Sequence, residues 1–190
     1  MSIESLGHEQ EPEVTVRRAT PGDAADIQHV YHDAWLASHI SEKDGITRED
    51  IETMVADWEA PERIRQTSDM IEFSDPDTFG HFVAVVDGKV VGDTRCFILG
   101  DTGKFDGRPC NKLQTMYVHP EFHGRGVAPG LMGQALNWLG DQKLVVLEVA
   151  AYNQRAIRFY EKYGFKIAGP SSHPNGASSL PSGKFIPELV

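Results

Sequence analysis

The sequence predicts one mixed α/β domain, and three observations predict it. Apolar and polar residues alternate as in strands over residues 14–19, 81–99 and 112–118. Helical apolar stripes occupy the stretch between the first strand and the second. A glycine-rich turn then joins the 112–118 strand directly to a helix over 129–139. The resulting order is strand, helices, three strands, helix, strand, helix, strands, with no internal repeat and no dividing linker.

Each element has a local cause. Residues 14–19, VTVRRA, form the first strand, and Thr20-Pro21 supplies a cap followed by proline at the first helical position. Ala24, Ile27, Val30, Tyr31, Ala34 and Trp35 repeat at helical spacing until Gly45 interrupts. Thr47 and Asp50 bracket the next helix start as a capping box, and Ile51, Met54, Val55 and Trp58 give its stripe. Pro61 ends that helix, and a short one over 62–68 follows. Asp87-Gly88 marks a hairpin turn between two strands. Residues 100–110 read as a loop. Residues 143–150 read as an apolar strand, 153–163 as a helix closed by Gly164, 165–168 as a short strand and 184–190 as a last strand.

Length and composition bound the rest. The chain has 190 residues, enough for a sizeable core without staples. The first 12 residues are polar and acidic, without the basic start or apolar core of a secretion signal, and are expected to be a loose tail before a single domain over 13–190. No apolar run is long enough to cross a membrane. Cys96 and Cys110 lack metal spacing and are expected to be reduced, which suits a cytoplasmic protein. The formal net charge of -10 argues against nucleic-acid binding and suits a cationic substrate, or serves solubility alone.

The turn carries chemistry. His123-Gly124-Arg125-Gly126-Val127-Ala128-Pro129 runs into the 129–139 helix. A helix start offers unsatisfied amides and partial positive charge, and glycines let the backbone approach a ligand closely. Together they suit a pyrophosphate, with Arg125 adding charge at the rim. No GKS or GKT follows, and the spacing is not that of a dinucleotide fingerprint.

These residues resemble the first cofactor motif of the GNAT acetyltransferase superfamily, in which Gln or Arg precedes the small residues; His123 departs from it. Residues 145–165, VVLEVAAYNQRAIRFYEKYGF, resemble the superfamily's second motif through Glu148, Asn153, Ala156, Phe159, Tyr160, Gly164 and Phe165. This stretch is similar to the ribosomal-protein N-terminal acetyltransferase branch. The resemblance implies a mixed, mostly antiparallel sheet whose two central strands splay apart to admit acetyl-CoA. It implies pantetheine pairing along Met116, Tyr117 and Val118, pyrophosphate on the 124–129 amides, and a cofactor contact from Asn153. It also implies frequent homodimers.

The same resemblance implies Tyr160 as the acid that protonates the leaving thiolate, and a backbone amide near Val118 as oxyanion donor. A phenol and a thiol have ordinary pKa values on the order of 8.5–10, so transfer between them is feasible. Tyr160 read without the resemblance is a core aromatic with a bonded hydroxyl. Glu148 interrupts an apolar strand, sharing a face with Leu144, Val146 and Ala150, and is the best base. Desolvation there raises a carboxyl toward a useful range; otherwise it is a strand-end carboxylate. Lys112 stands where other branches place a glutamate. Tyr31 and Trp35 are expected to wall the acceptor pocket. The histidines show no HExxH pattern and no metal is expected. The reading is an N-acetyltransferase acting on a primary amine, small and cationic or peptidic, by direct attack in a ternary complex. The rival reading is a non-catalytic acyl-CoA sensor.

Overall fold

The computed structural model describes residues 13–170 together with 188 and 189. Strand β1 (Thr15–Arg18) is followed by a 3-10 turn over Pro21–Asp23 and helix α1 (Ala24–Ser38). Helix α2 (Arg48–Val55) starts at Thr47, whose hydroxyl oxygen accepts from the Asp50 amide while the Asp50 carboxylate accepts from the Thr47 amide. That is the expected capping box. Trp58 falls beyond the end of α2. Pro61 opens the next helix rather than merely ending the last: α3 runs over Pro61–Phe73, longer than expected, with the proline in its first turn where its missing N–H costs nothing.

Strands β2 (Phe79–Val86) and β3 (Lys89–Phe97) form the expected hairpin, with Asp87 and Gly88 at φ of 50° and 78°. A second hairpin was not expected. Strand β4 (Lys104–Phe105) turns through Asp106-Gly107 into β5 (Arg108–Val118), so part of the 100–110 loop is strand and Cys110 is buried within β5. Helix α4 (Val127–Leu139) begins at Gly126. The 143–150 strand divides into β6 (Leu144–Val146) and β7 (Val149–Ala150). Helix α5 (Gln154–Glu161) ends two residues before the expected Tyr163. Residues 165–168 form no strand: they lie across a cavity from β6, and β7 pairs instead with β8 (Glu188–Leu189). The rest of the expected 184–190 strand, and the 1–12 tail, lie outside the described residues.

The main sheet has the order β1-β2-β3-β5-β4, antiparallel throughout, with β6 parallel to β5. Helix α1 covers one face, where Ile27 and Tyr31 pack on Val83 and Val90. Helix α4 covers the other, with Val127 and Leu131 against Ala84, Val91 and Val118. Gly92 permits that approach, since a Cβ there would lie 2.9 Å from a Val127 methyl carbon. No helix among the described residues is long and apolar enough to cross a membrane.

Candidate active site

Strands β5 and β6 pair only over Cys110–Lys112 and Leu144–Val146. Beyond that point β7 joins β8 in a separate sheet, and β5 continues alone on that side. The strands therefore part and open a cleft of about 500 Å³ lined by Met116, Tyr117, Val118, Glu148, Asn153 and Tyr160, among others. A second cavity of about 680 Å³, against Leu136, Val145 and Ile157, has no residue of the glycine turn in its lining.

The edge of β5 is set by strand alternation. His119 N–H donates to Val91 across the sheet, and Tyr117 faces Asp93 in register. Val118, between them, turns its amide and carbonyl into the gap, and Met116 does the same. The Val118 carbonyl accepts from His123 Nε2 at 3.1 Å.

The glycine turn closes one end of the cleft. Gly124 and Gly126 take φ of 82° and 81°, and nothing lies within 4 Å of where their Cβ atoms would be, so the backbone faces open space. Gly126, Val127 and Ala128 supply amides at the start of α4. Pro129 corrects the expectation of a donor at every position over 124–129, because proline has no N–H; it sits in the first turn and only shapes it. The Arg125 guanidinium rests 5.3 Å from the Phe122 ring centre, beside the turn.

His123, unexplained by the sequence, acquires a role. Its Nε2–H donates to Val118, and its Nδ1 accepts from Arg155 Nη1 at 2.6 Å. Partial burial, and then the Arg155 charge, hold its pKa below the ordinary value, which favours the neutral ring those two bonds require. Arg155, on α5, had no motif to announce it. Asn153 lines the cleft and caps α5, its side-chain oxygen accepting from the Ala156 amide at 3.0 Å.

Tyr160 lies in the cleft and packs with Phe159 and Phe165 on the α4 side of the sheet. Its hydroxyl makes no hydrogen bond among the described residues, so the expected proton donor is available, unlike a satisfied core tyrosine. Burial first, and Tyr117 second, push its pKa up. That separates phenol from thiol where ordinary values would match them. The phenol keeps its proton at neutral pH and donates a hydrogen bond to a thiolate more readily than it surrenders the proton outright.

Glu148 is on the opposite face. Leu147 packs with Cys96 and Leu113 on the α4 side, whereas Ala150 packs with Trp35 and Ile51 on the α1–α2 side. Alternation places Glu148 with Ala150, as expected. It is not simply desolvated, however: Lys112 Nζ stands 2.9 Å from its Oε2, and both side chains remain 21% exposed. Lys112, read in the sequence only as a missing glutamate, is that carboxylate's partner.

Trp35 lines the cleft, stacked on His39 with ring centres 3.9 Å apart. Burial lowers the His39 pKa to about 4, so this ring is neutral at physiological pH. Tyr31 does not wall the cleft. It is buried behind Tyr117, with its hydroxyl donating to Asp93 at 3.0 Å. Cys96 is buried, its thiol pushed up to about 12 by desolvation, and no disulfide forms.

A cleft between parting parallel strands, bounded by a free strand edge and a glycine turn at a helix start, defines the acyl-CoA N-acyltransferase fold. Residues 44–165 match the Acetyltransferase (GNAT) family, and the chain belongs to it. An uncharacterized N-acetyltransferase of Mycobacterium tuberculosis is 37% identical over 106 residues, covering 55% of this chain and 64% of that one. One from Methanocaldococcus jannaschii is 32% identical over 92 residues, covering 47% of this chain and 40% of that one. The chain thus matches less than two thirds of the length of these relatives. The PaiA N-acetyltransferase of Thermoplasma acidophilum, in complex with coenzyme A, superimposes with a TM-score of 0.66 at 17% identity, covering 93% of this chain and 98% of that one.

Proposed function

We propose that the chain transfers acetyl from acetyl-CoA to a primary amine by direct attack in a ternary complex. One observation carries this reading: the gap runs through the sheet, with Tyr160 and the glycine turn on the α4 side and Glu148 on the α1–α2 side. A thioester in the gap meets an amine arriving from the opposite face, with no need for a covalent enzyme intermediate. The buried Cys96, with its raised thiol pKa, is a poor nucleophile.

In this reading the amides of Gly126, Val127 and Ala128 hold the pyrophosphate, and the Met116–Val118 edge pairs with the pantetheine amides. The Val118 amide donates to the carbonyl oxygen as it becomes an oxyanion. Glu148 takes the proton from the attacking amine, directly or through water, while Lys112 orients its carboxylate. As the tetrahedral adduct collapses, the C–S bond breaks and the Tyr160 hydroxyl donates a hydrogen bond to the departing sulfur, whose proton then comes from solvent. Trp35 and His39 wall the amine side. The acceptor is a small cationic amine, an amino-acid derivative or a peptide N-terminus.

Free-thiol release from acetyl-CoA tests this across polyamines, aminoglycosides, amino acids and N-terminal peptides. Amine-dependent turnover of at least one class is expected. Saturable acetyl-CoA binding with no turnover on any amine would instead make the chain a sensor.

A further inference from the structure

Helix α1 carries His29, His32 and Asp33, and His119 follows directly on the last residue of β5. His29 and Asp33 are one helical turn apart and share a face. The chain leaving β5 brings His119 against that face, so that its Nε2 lies 3.0 Å from Asp33 Oδ2. His29 Nε2 lies 3.8 Å from the same oxygen. One donor atom from each of the three residues can be chosen so that all lie within 4.8 Å of one another.

We propose that His29, Asp33 and His119 form a binding site for one zinc ion. Two imidazoles and one carboxylate are a donor set that zinc accepts, with water at the fourth vertex. Bonds of about 2.0–2.1 Å at tetrahedral angles set the ligand atoms roughly 3.3 Å apart. The observed 3.0 and 3.8 Å to Asp33 bracket that edge, and no pair in the set exceeds 4.8 Å, so side-chain rotations that draw the two imidazoles together complete the site. His29 is exposed and the other two are half-buried, which leaves an approach from solvent.

The surrounding bonds already orient these ligands. His29 Nδ1 is 2.8 Å from Glu59 Oε1, so the ring donates there and turns the Nε2 lone pair inward. His32 Nδ1 is 2.7 Å from Asp33 Oδ1, which engages that oxygen and leaves Oδ2 facing His29 and His119. His119 Nδ1 receives only a long 3.4 Å contact from the Glu121 amide. Zinc binding takes the His119 Nε2 lone pair, places the ring hydrogen on Nδ1 and gives up that contact.

None of the three ligands lines the acyl-CoA cleft, so the ion is structural and takes no part in acyl transfer. It fastens α1, which also carries Trp35, to the loop that leads into the glycine turn. The proposal does not depend on the activity of the chain.

The test is calorimetric titration of untagged, chelator-stripped full chain with zinc chloride. One equivalent is expected to bind with a Kd on the order of 1 μM or tighter. His29→Ala and His119→Ala should each weaken this site about 100-fold, and Glu59→Gln, which leaves all three ligands in place, about tenfold. Zinc at 100 times its Kd should raise Tm by roughly 5–10 °C in the native chain and not in His119→Ala. Absence of a one-equivalent site, or the same site persisting in both alanine variants, overturns the proposal.

Discussion

Lys112 Nζ lies 2.9 Å from Glu148 Oε2, across the point where β5 and β6 part. The pair stands at the neck of the cleft on the side from which an amine would enter. A glutamate held there by an ammonium group is positioned and charge-balanced before any substrate arrives.

Replacing the carboxylate should therefore cost turnover more than fold. Glu148→Gln is expected to lower kcat by about 10²-fold or more while the thermal midpoint moves little. Lys112→Ala should lower kcat less, since it removes only the orienting partner. The double variant should show a coupling of about 1 kcal/mol in kcat/KM. Retention of kcat in Glu148→Gln would remove the base role.

Tyr160→Phe keeps the ring packing and deletes the unbonded hydroxyl. It should slow the acyl-transfer step about tenfold to a hundredfold and leave the Kd for acetyl-CoA unchanged. Burial raises the phenol above its ordinary pKa, so the acid form persists through the alkaline range. The native pH profile of kcat should accordingly show no tyrosine-dependent fall below about pH 10. A fall near pH 9 that is absent in Tyr160→Phe would contradict this.

Gly126, at φ 81° beside the start of α4, is the position at which a side chain tests the turn. Gly126→Ala forces a non-glycine residue into the left-handed region at about 1–2 kcal/mol. Its methyl group also projects from the backbone that faces the open turn. The Kd for coenzyme A should rise at least about tenfold, with a smaller change for a dephosphorylated, pyrophosphate-free pantetheine analogue. Equal losses for both ligands would detach the turn from the pyrophosphate.

Asp23 gives a test of stability with a defined sign. Hydrogen bonds from Arg17 lead the effects that lower its pKa to about 2; burial opposes them, and the Thr20 amide and hydroxyl reinforce them. The folded carboxyl titrates below the unfolded one, so its contribution is present above about pH 4 and is lost as pH falls toward 2. Asp23→Asn should cost about 2 kcal/mol at pH 7 in urea unfolding. The gap between the two proteins should narrow below about pH 4 and close toward pH 2.

The elements with strictly local causes were legible in the sequence. The Thr47–Asp50 box needs four residues, and the Asp87-Gly88 turn needs two flanking apolar runs. Asp106-Gly107 carries the same turn signal, but β4 is only two residues long and offered no alternation to flank it. Whether residues 165–168 pair depends on distant chain: β7 takes β8 as its partner, and a cavity separates 165–168 from β6. The site divides in the same way. His123, Ala128, Asn153, Glu148 and Tyr160 sit in contiguous motifs and converge on one cleft. Lys112 and Arg155 act through partners 36 and 32 positions away, and Tyr31 was given to the cleft only because its helix passes nearby. His29 and Asp33 had a readable one-turn spacing, yet the third ligand comes from the far end of β5.

The free edge of β5 offers ligands its peptide groups, not its side chains. Exchange of Met116 or Val118 for another apolar residue leaves that row of donors and acceptors intact. The side from which an amine would enter, by contrast, is lined by the side chains of Trp35 and His39. Mutational drift therefore falls unequally on the two halves of the cleft: the half that would recognise the acyl donor is buffered, and the half that would choose the acceptor is not. A lineage carrying this scaffold would then be free to diversify in its acceptor while keeping one donor.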